Sequence, residues 1–154
     1  MERAGRHLLL FSLVSLLAVL ALGVARASPS VRALIDTPES VKSLGAFHAH
    51  FDSLCWLGSA AAGAALLGLG RAWRGPAWLP AAFAWSYIPG TLLFATSYGL
   101  KGLGERLGSP LLARGAFFTL ASVGGSCLFV TIGAGAALAW RTFAEVGVSD
   151  PAAG

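Results

Sequence analysis

Charge is scarce in this chain. Seven acidic and eleven basic residues make up 12% of its 154 positions, about half the charged share of an ordinary soluble domain. With 56% apolar residues and a mean hydropathy of +0.72, that shortage argues against a water-soluble fold and for an integral membrane protein. Cysteine is also rare. Cys55 and Cys127 each fall inside an apolar run, where a thiol acts as a small apolar side chain, so no disulfide framework is expected. The basic excess of +4 is scattered singly over the ends of apolar runs. No basic stripe with interleaved aromatics exists, which argues against a nucleic-acid partner. The third and fourth apolar runs contain no His, Asp or Glu, so a zinc or non-haem iron centre built from several spans lacks ligands.

What is present is length in apolar runs. A membrane-crossing helix needs roughly 20 apolar residues, and the chain holds four such runs, at about 7–24, 44–69, 79–100 and 115–140. The expected fold class is therefore all-α, a four-helix transmembrane bundle occupying residues 1–154 as one domain. The first run, with Arg3 and Arg6 before it and Ala25-Arg26-Ala27 behind it, also fits a secretory signal, but its length favours a retained helix. The connection from Ser28 to Lys42 is expected to turn at the interface, with Thr37 capping a short helix that begins at Pro38. Val146 to Gly154 reads as a disordered tail.

Small residues mark packing faces. Ser59 and Gly63 in the second run, and Gly124, Gly125, Gly133 and Gly135 in the fourth, let neighbouring helices approach closely and favour a homo-oligomer. In the third run, Pro89 removes a backbone donor and predicts a kink, beside a concentration of hydroxyls from Ser86 to Tyr98. Trp73, Trp78 and Trp85 are expected to anchor its start at the lipid interface. Arg3, Arg6, Arg71, Arg74 and Arg141 gather on one side. The basic residues of the other side are diluted by Asp36, Glu39 and Glu105. That asymmetry leads to the expectation that both termini lie in the cytoplasm.

The candidate site opens the second run, where His48, His50 and Asp52 stand within five residues. Ionisable groups are costly at membrane depth, so such a cluster is a functional candidate by default. On a regular helix His48, Asp52, Cys55 and Ser59 share one face, and His50 points nearly opposite, towards the side of Leu54 and Leu57. Three chemistries are open: a histidine ligating haem iron with Asp52 fixing the tautomer of the His48 ring, a His48–Asp52 proton relay, and hydrated interfacial residues with Asp52 paired to Arg106 or Arg114.

His48-Ala49-His50, followed by Trp56 and Gly58, resembles the His-x-His opening of the second helix in small four-helix bacterial membrane families related to the haem-binding core of haem-copper oxidase subunit I. It also resembles the styrene oxide isomerase family, four-helix membrane enzymes that hold haem b between the subunits of a trimer. The resemblance implies haem b as cofactor, with His50 as first-choice axial ligand and His48 as second. It departs at Trp56, where the isomerases carry asparagine, and in the third span, which lacks their aspartate. Tyr87 or Tyr98 is positioned to stand near their tyrosine. Haem binding is thus expected over epoxide isomerisation, with an isomerase-like Lewis-acid or a redox role open and the substrate unspecified. The alternative is a non-catalytic membrane scaffold or accessory subunit without cofactor.

Overall fold

A computed structural model describes residues 1–35, 37, 38, 40–70 and 73–148. The described residues form helices joined by short turns and contain no strand. Helix α1 spans Glu2–Ala27 and α2 spans Pro29–Ile35. A second long rod, Val41–Leu69, consists of α3 (Val41–His50), a π-helical stretch (Phe51–Gly58) and α4 (Ser59–Leu69). Helix α5 spans Trp78–Leu107, and a π-helical turn (Leu111–Ala116) leads into α6 (Phe117–Val148).

Three of the rods, Glu2–Ala27, Val41–Leu69 and Leu111–Ala144, are long and apolar enough to cross a membrane. Helix α5 has the length, at 30 residues, but its hydroxyls and prolines dilute its hydropathy and it is not one of the three. Large apolar side chains point outward, among them Leu13 and Leu17 on α1 and Phe129 and Trp140 on α6, the last two 78% and 77% exposed. Outward faces this apolar suit a lipid environment.

Consecutive long rods run antiparallel, and the sequence supplies small residues where their backbones approach closely. On α1, a Cβ at Gly5 would lie 2.9 Å from the Gly63 carbonyl, and one at Gly63 would lie 3.0 Å from the Gly5 carbonyl. On α6, a Cβ at Gly124 would lie 2.7 Å from the Phe94 backbone nitrogen and 2.9 Å from the Gly90 carbonyl. These close crossings take the place of a hydrophobic driving force, which is weak between helices in lipid. Leu8, Leu66, Leu79, Ala84 and Leu138 from α1, α4, α5 and α6 close the core at the N-terminal end of α1. At the other end α3 packs on α5, Leu44 against Gly102 and Phe47 against Gly99. Helix α6 packs chiefly on α5.

Several expectations change here. The connection after α1 forms its helix at Pro29, in the favourable first position, and not at Pro38. Thr37 caps no helix; its hydroxyl bonds that of Ser40 at 2.9 Å, and Ser40 donates to the Ile35 carbonyl at 2.8 Å. Pro89 lies inside the continuous span of α5, as the position of the third run implies. Of the four glycines of the fourth run, Gly124 and Gly135 face α5, whereas Gly125 and Gly133 face open space. Trp78 and Trp85 project outward as anchors would, while Trp73 packs against the core. Helix α6 continues through Val148, and residues 149–154, Asp36, Glu39 and Arg71 lie outside the described residues.

Candidate functional site

The second rod changes its winding directly after His50. From Phe51 to Gly58 the backbone is π-helical, a form whose N–H groups reach back five residues instead of four and which recurs at functional sites. Its carbonyls are met by hydroxyls from three helices. Tyr87 Oη donates to the Leu54 carbonyl at 2.7 Å, and Ser12 Oγ donates to the Trp56 carbonyl at 3.1 Å. Ser59 Oγ donates to the Cys55 carbonyl and, at 3.0 Å, to that of Trp56. In lipid every backbone polar group needs an internal partner, so these hydroxyls stabilise the irregular turn. Gly58 makes room for one of them, since a Cβ there would overlap Tyr87 Oη.

This winding overturns the expected sharing of a face. Cys55 and Ser59 are fully buried, Asp52 is half-buried and His48 is exposed, so the four residues do not line one stripe. The physical reason is phase: a wider turn advances each residue less around the axis than the regular period does. Cys55 lies within hydrogen-bonding reach of Thr91 on α5, and both cysteines are free thiols.

His50 is half-buried and faces α5. Its ring centroid lies 4.9 Å from that of Tyr98 and 5.4 Å from that of Phe94, the latter edge-on. Tyr98 in turn meets Phe117 of α6 edge-on at 5.3 Å, and Lys101 Nζ stands 5.0 Å from the Phe117 ring centre. Phe94, Tyr98 and Lys101 recur at helical spacing on one face of α5. The result is a packed aromatic cluster with the His50 imidazole at one side of Tyr98 and Phe117 at another. Sequence reasoning did not find Phe94, Ser12 or Phe117, since nothing local ties them to His50 or to the π-helical stretch.

Among the described residues, His50 makes no hydrogen bond, so its nitrogens are available to a ligand. Asp52 likewise bonds neither histidine, and it forms no ion pair with Arg106 or Arg114. Among the described residues, His48 and Asp52 make no direct hydrogen bond to one another. No three His, Cys, Asp or Glu side chains converge among the described residues, so His48, His50 and Asp52 do not form a common ligand set. Two apolar cavities lie elsewhere: one of about 300 Å³ beside His7, Phe11 and Trp85, and one of about 390 Å³ beside Leu66, Phe83 and Leu138. No protein-family model, curated protein or solved structure matches the chain.

Proposed function

We propose that this protein is a four-helix transmembrane bundle of a bacterial inner membrane, with cytoplasmic termini, that binds b-type haem through His50 as a homo-oligomer. The observation that carries the reading is the His50 imidazole, half-exposed, free of protein hydrogen bonds and set against Tyr98 and Phe94. A neutral imidazole presented from inside a helical bundle is a usual way to hold haem iron. Phe94 and Tyr98 fill the α5 side of the ring, so the open side faces outward and a second copy would complete the pocket. His48, exposed near the same end, is the second ligand candidate; Asp52 would orient a ligand ring only if binding moved it.

Bound haem would supply Lewis-acid or gas-binding chemistry with one histidine, and electron transfer with two. The chain's own part is to present the imidazole, cover it with aromatic rings and exclude water. The test is the visible spectrum of the detergent-purified protein, oxidised and dithionite-reduced, beside His50→Ala and His48→Ala. The expected result is a Soret band that His50→Ala abolishes while oligomer size is kept.

A second reading is a membrane scaffold or accessory subunit, in which His50 is a packing residue. It is favoured by the ring contacts that His50 already makes with α5. Absence of a Soret band after expression with ample haem would select it.

A further inference from the structure

The turn between α5 and α6 carries mixed charge at the mouth of a membrane-length rod. That rod, Leu111–Ala144, is one of the three long and apolar enough to cross a membrane, so its start lies where a bilayer keeps its headgroups. A cavity of about 420 Å³ opens there, lined by Lys101 and Glu105 of α5, Ser109 of the turn and Arg114 of the π-helical stretch that leads into α6. Its size is that of a small-molecule site. Two cations against one carboxylate leave the lining one positive charge in excess.

These charged groups are only lightly committed to one another. Lys101 Nζ stands 3.9 Å from Glu105, beyond hydrogen-bonding reach, and 5.0 Å from the centre of the Phe117 ring. Arg114 is exposed. A pair this loose contributes little and yields to a stronger partner. Glu105 Oε2 is buried without a hydrogen-bond partner, which leaves the carboxylate short of donors. Leu103, Leu107, Leu111 and Phe118, close in sequence to the lining residues, are all exposed.

A ligand anionic at one end and apolar at the other matches this setting, and charge selects among phosphates. A phosphate monoester carries about −1.5 to −2 at neutral pH, and its second charge would face Glu105. A phosphodiester keeps a single charge, equal to the excess here. A zwitterionic headgroup brings an ammonium and leaves that excess standing. We propose that the cavity is the headgroup site of a monoanionic phospholipid, with the phosphodiester between Lys101 and Arg114, a headgroup hydroxyl donating to Glu105, and the acyl chains over the exposed leucines and Phe118. Basic pockets at the ends of membrane helices hold lipid headgroups in this way. The site uses neither His50 nor haem and stands apart from that reading.

The full-length protein in detergent is titrated with phosphatidylglycerol, phosphatidylethanolamine and phosphatidylcholine of identical chains, and native mass spectrometry counts the bound lipid. Phosphatidylglycerol should bind most tightly, one per chain. A basic residue at the membrane surface contributes about fivefold in affinity for an anionic lipid. Lys101→Met and Arg114→Met should each weaken phosphatidylglycerol by about that factor and leave phosphatidylcholine within about twofold, which also shows that the variants fold. Lys101→Arg should retain binding, and Arg141→Met, near the far end of α6, should change nothing. Equal affinity for the three lipids, or no effect of Lys101→Met and Arg114→Met, would remove the site. An equal loss with Arg141→Met would mean that net charge attracts the lipid and the cavity does not. Displacement of phosphatidylglycerol by inorganic phosphate would make this a free-phosphate site, which also overturns the proposal.

Discussion

Gly58 and Tyr87 offer a pair of substitutions whose combined effect should be smaller than one of its parts. Tyr87 Oη donates to the Leu54 carbonyl at 2.7 Å across the gap that Gly58 leaves open. Tyr87→Phe removes that bond alone, and hydrogen bonds between membrane helices average about 0.6 kcal/mol with a maximum near 1.7. Gly58→Ala is worse. The added methyl overlaps the hydroxyl and lies 3.2 Å from the Ser53 carbonyl, so it breaks the same bond and also displaces the ring, at about 1–3 kcal/mol for overpacking. With the hydroxyl gone, the nearest remaining ring atom, Tyr87 Cζ, stands 3.6 Å from the new methyl, an ordinary contact. Gly58→Ala should therefore cost roughly 1 kcal/mol less when Tyr87→Phe is already in place than it does alone. The assay is equilibrium unfolding in bicelles by titration with a denaturing detergent, read by helix content. Additive costs, or a double variant less stable than Gly58→Ala alone, would refute the account of how the π-helical stretch is held.

Other substitutions probe the crossings and the buried groups. Gly124→Val should destabilise by about 2–4 kcal/mol because its side chain meets the α5 backbone, whereas Gly125→Val, with nothing within 4 Å, should stay within about 0.5 kcal/mol; the same unfolding assay compares them. Ser86 and Thr131 join α5 to α6 at 2.8 Å, so Ser86→Ala should cost about 0.6 kcal/mol and show no further loss when Thr131→Ala is added. Cys55, fully buried, should resist maleimide in the native protein and react after denaturation, which mass spectrometry would register; fast native labelling would contradict its placement.

Much of the architecture was legible in the sequence because it follows from local composition. Apolar runs of membrane length gave the positions of the long rods to within several residues of their observed ends, since helix is the only open-chain form that satisfies its own backbone in lipid. The packing role of Gly63 was readable from its spacing with Ser59, and α1 approaches there.

The candidate site was legible only in part. That His48, His50 and Asp52 deserve notice follows from the cost of charge in a membrane, a property of residue type and position along the chain. Which histidine faces the interior does not follow, because that depends on which side of α3 the helix α5 packs against. The π-helical winding after His50 persists where Ser12 and Tyr87, distant in sequence, bring hydroxyls to its carbonyls. Phe94 and Tyr98 reach His50 only when α3 and α5 lie side by side. Composition alone determined that this is a helical, membrane-suited protein, because transfer energies add residue by residue. Tertiary structure decided the rotation of the second rod and the company His50 keeps, because hydrogen-bond register is settled by donors that other helices provide.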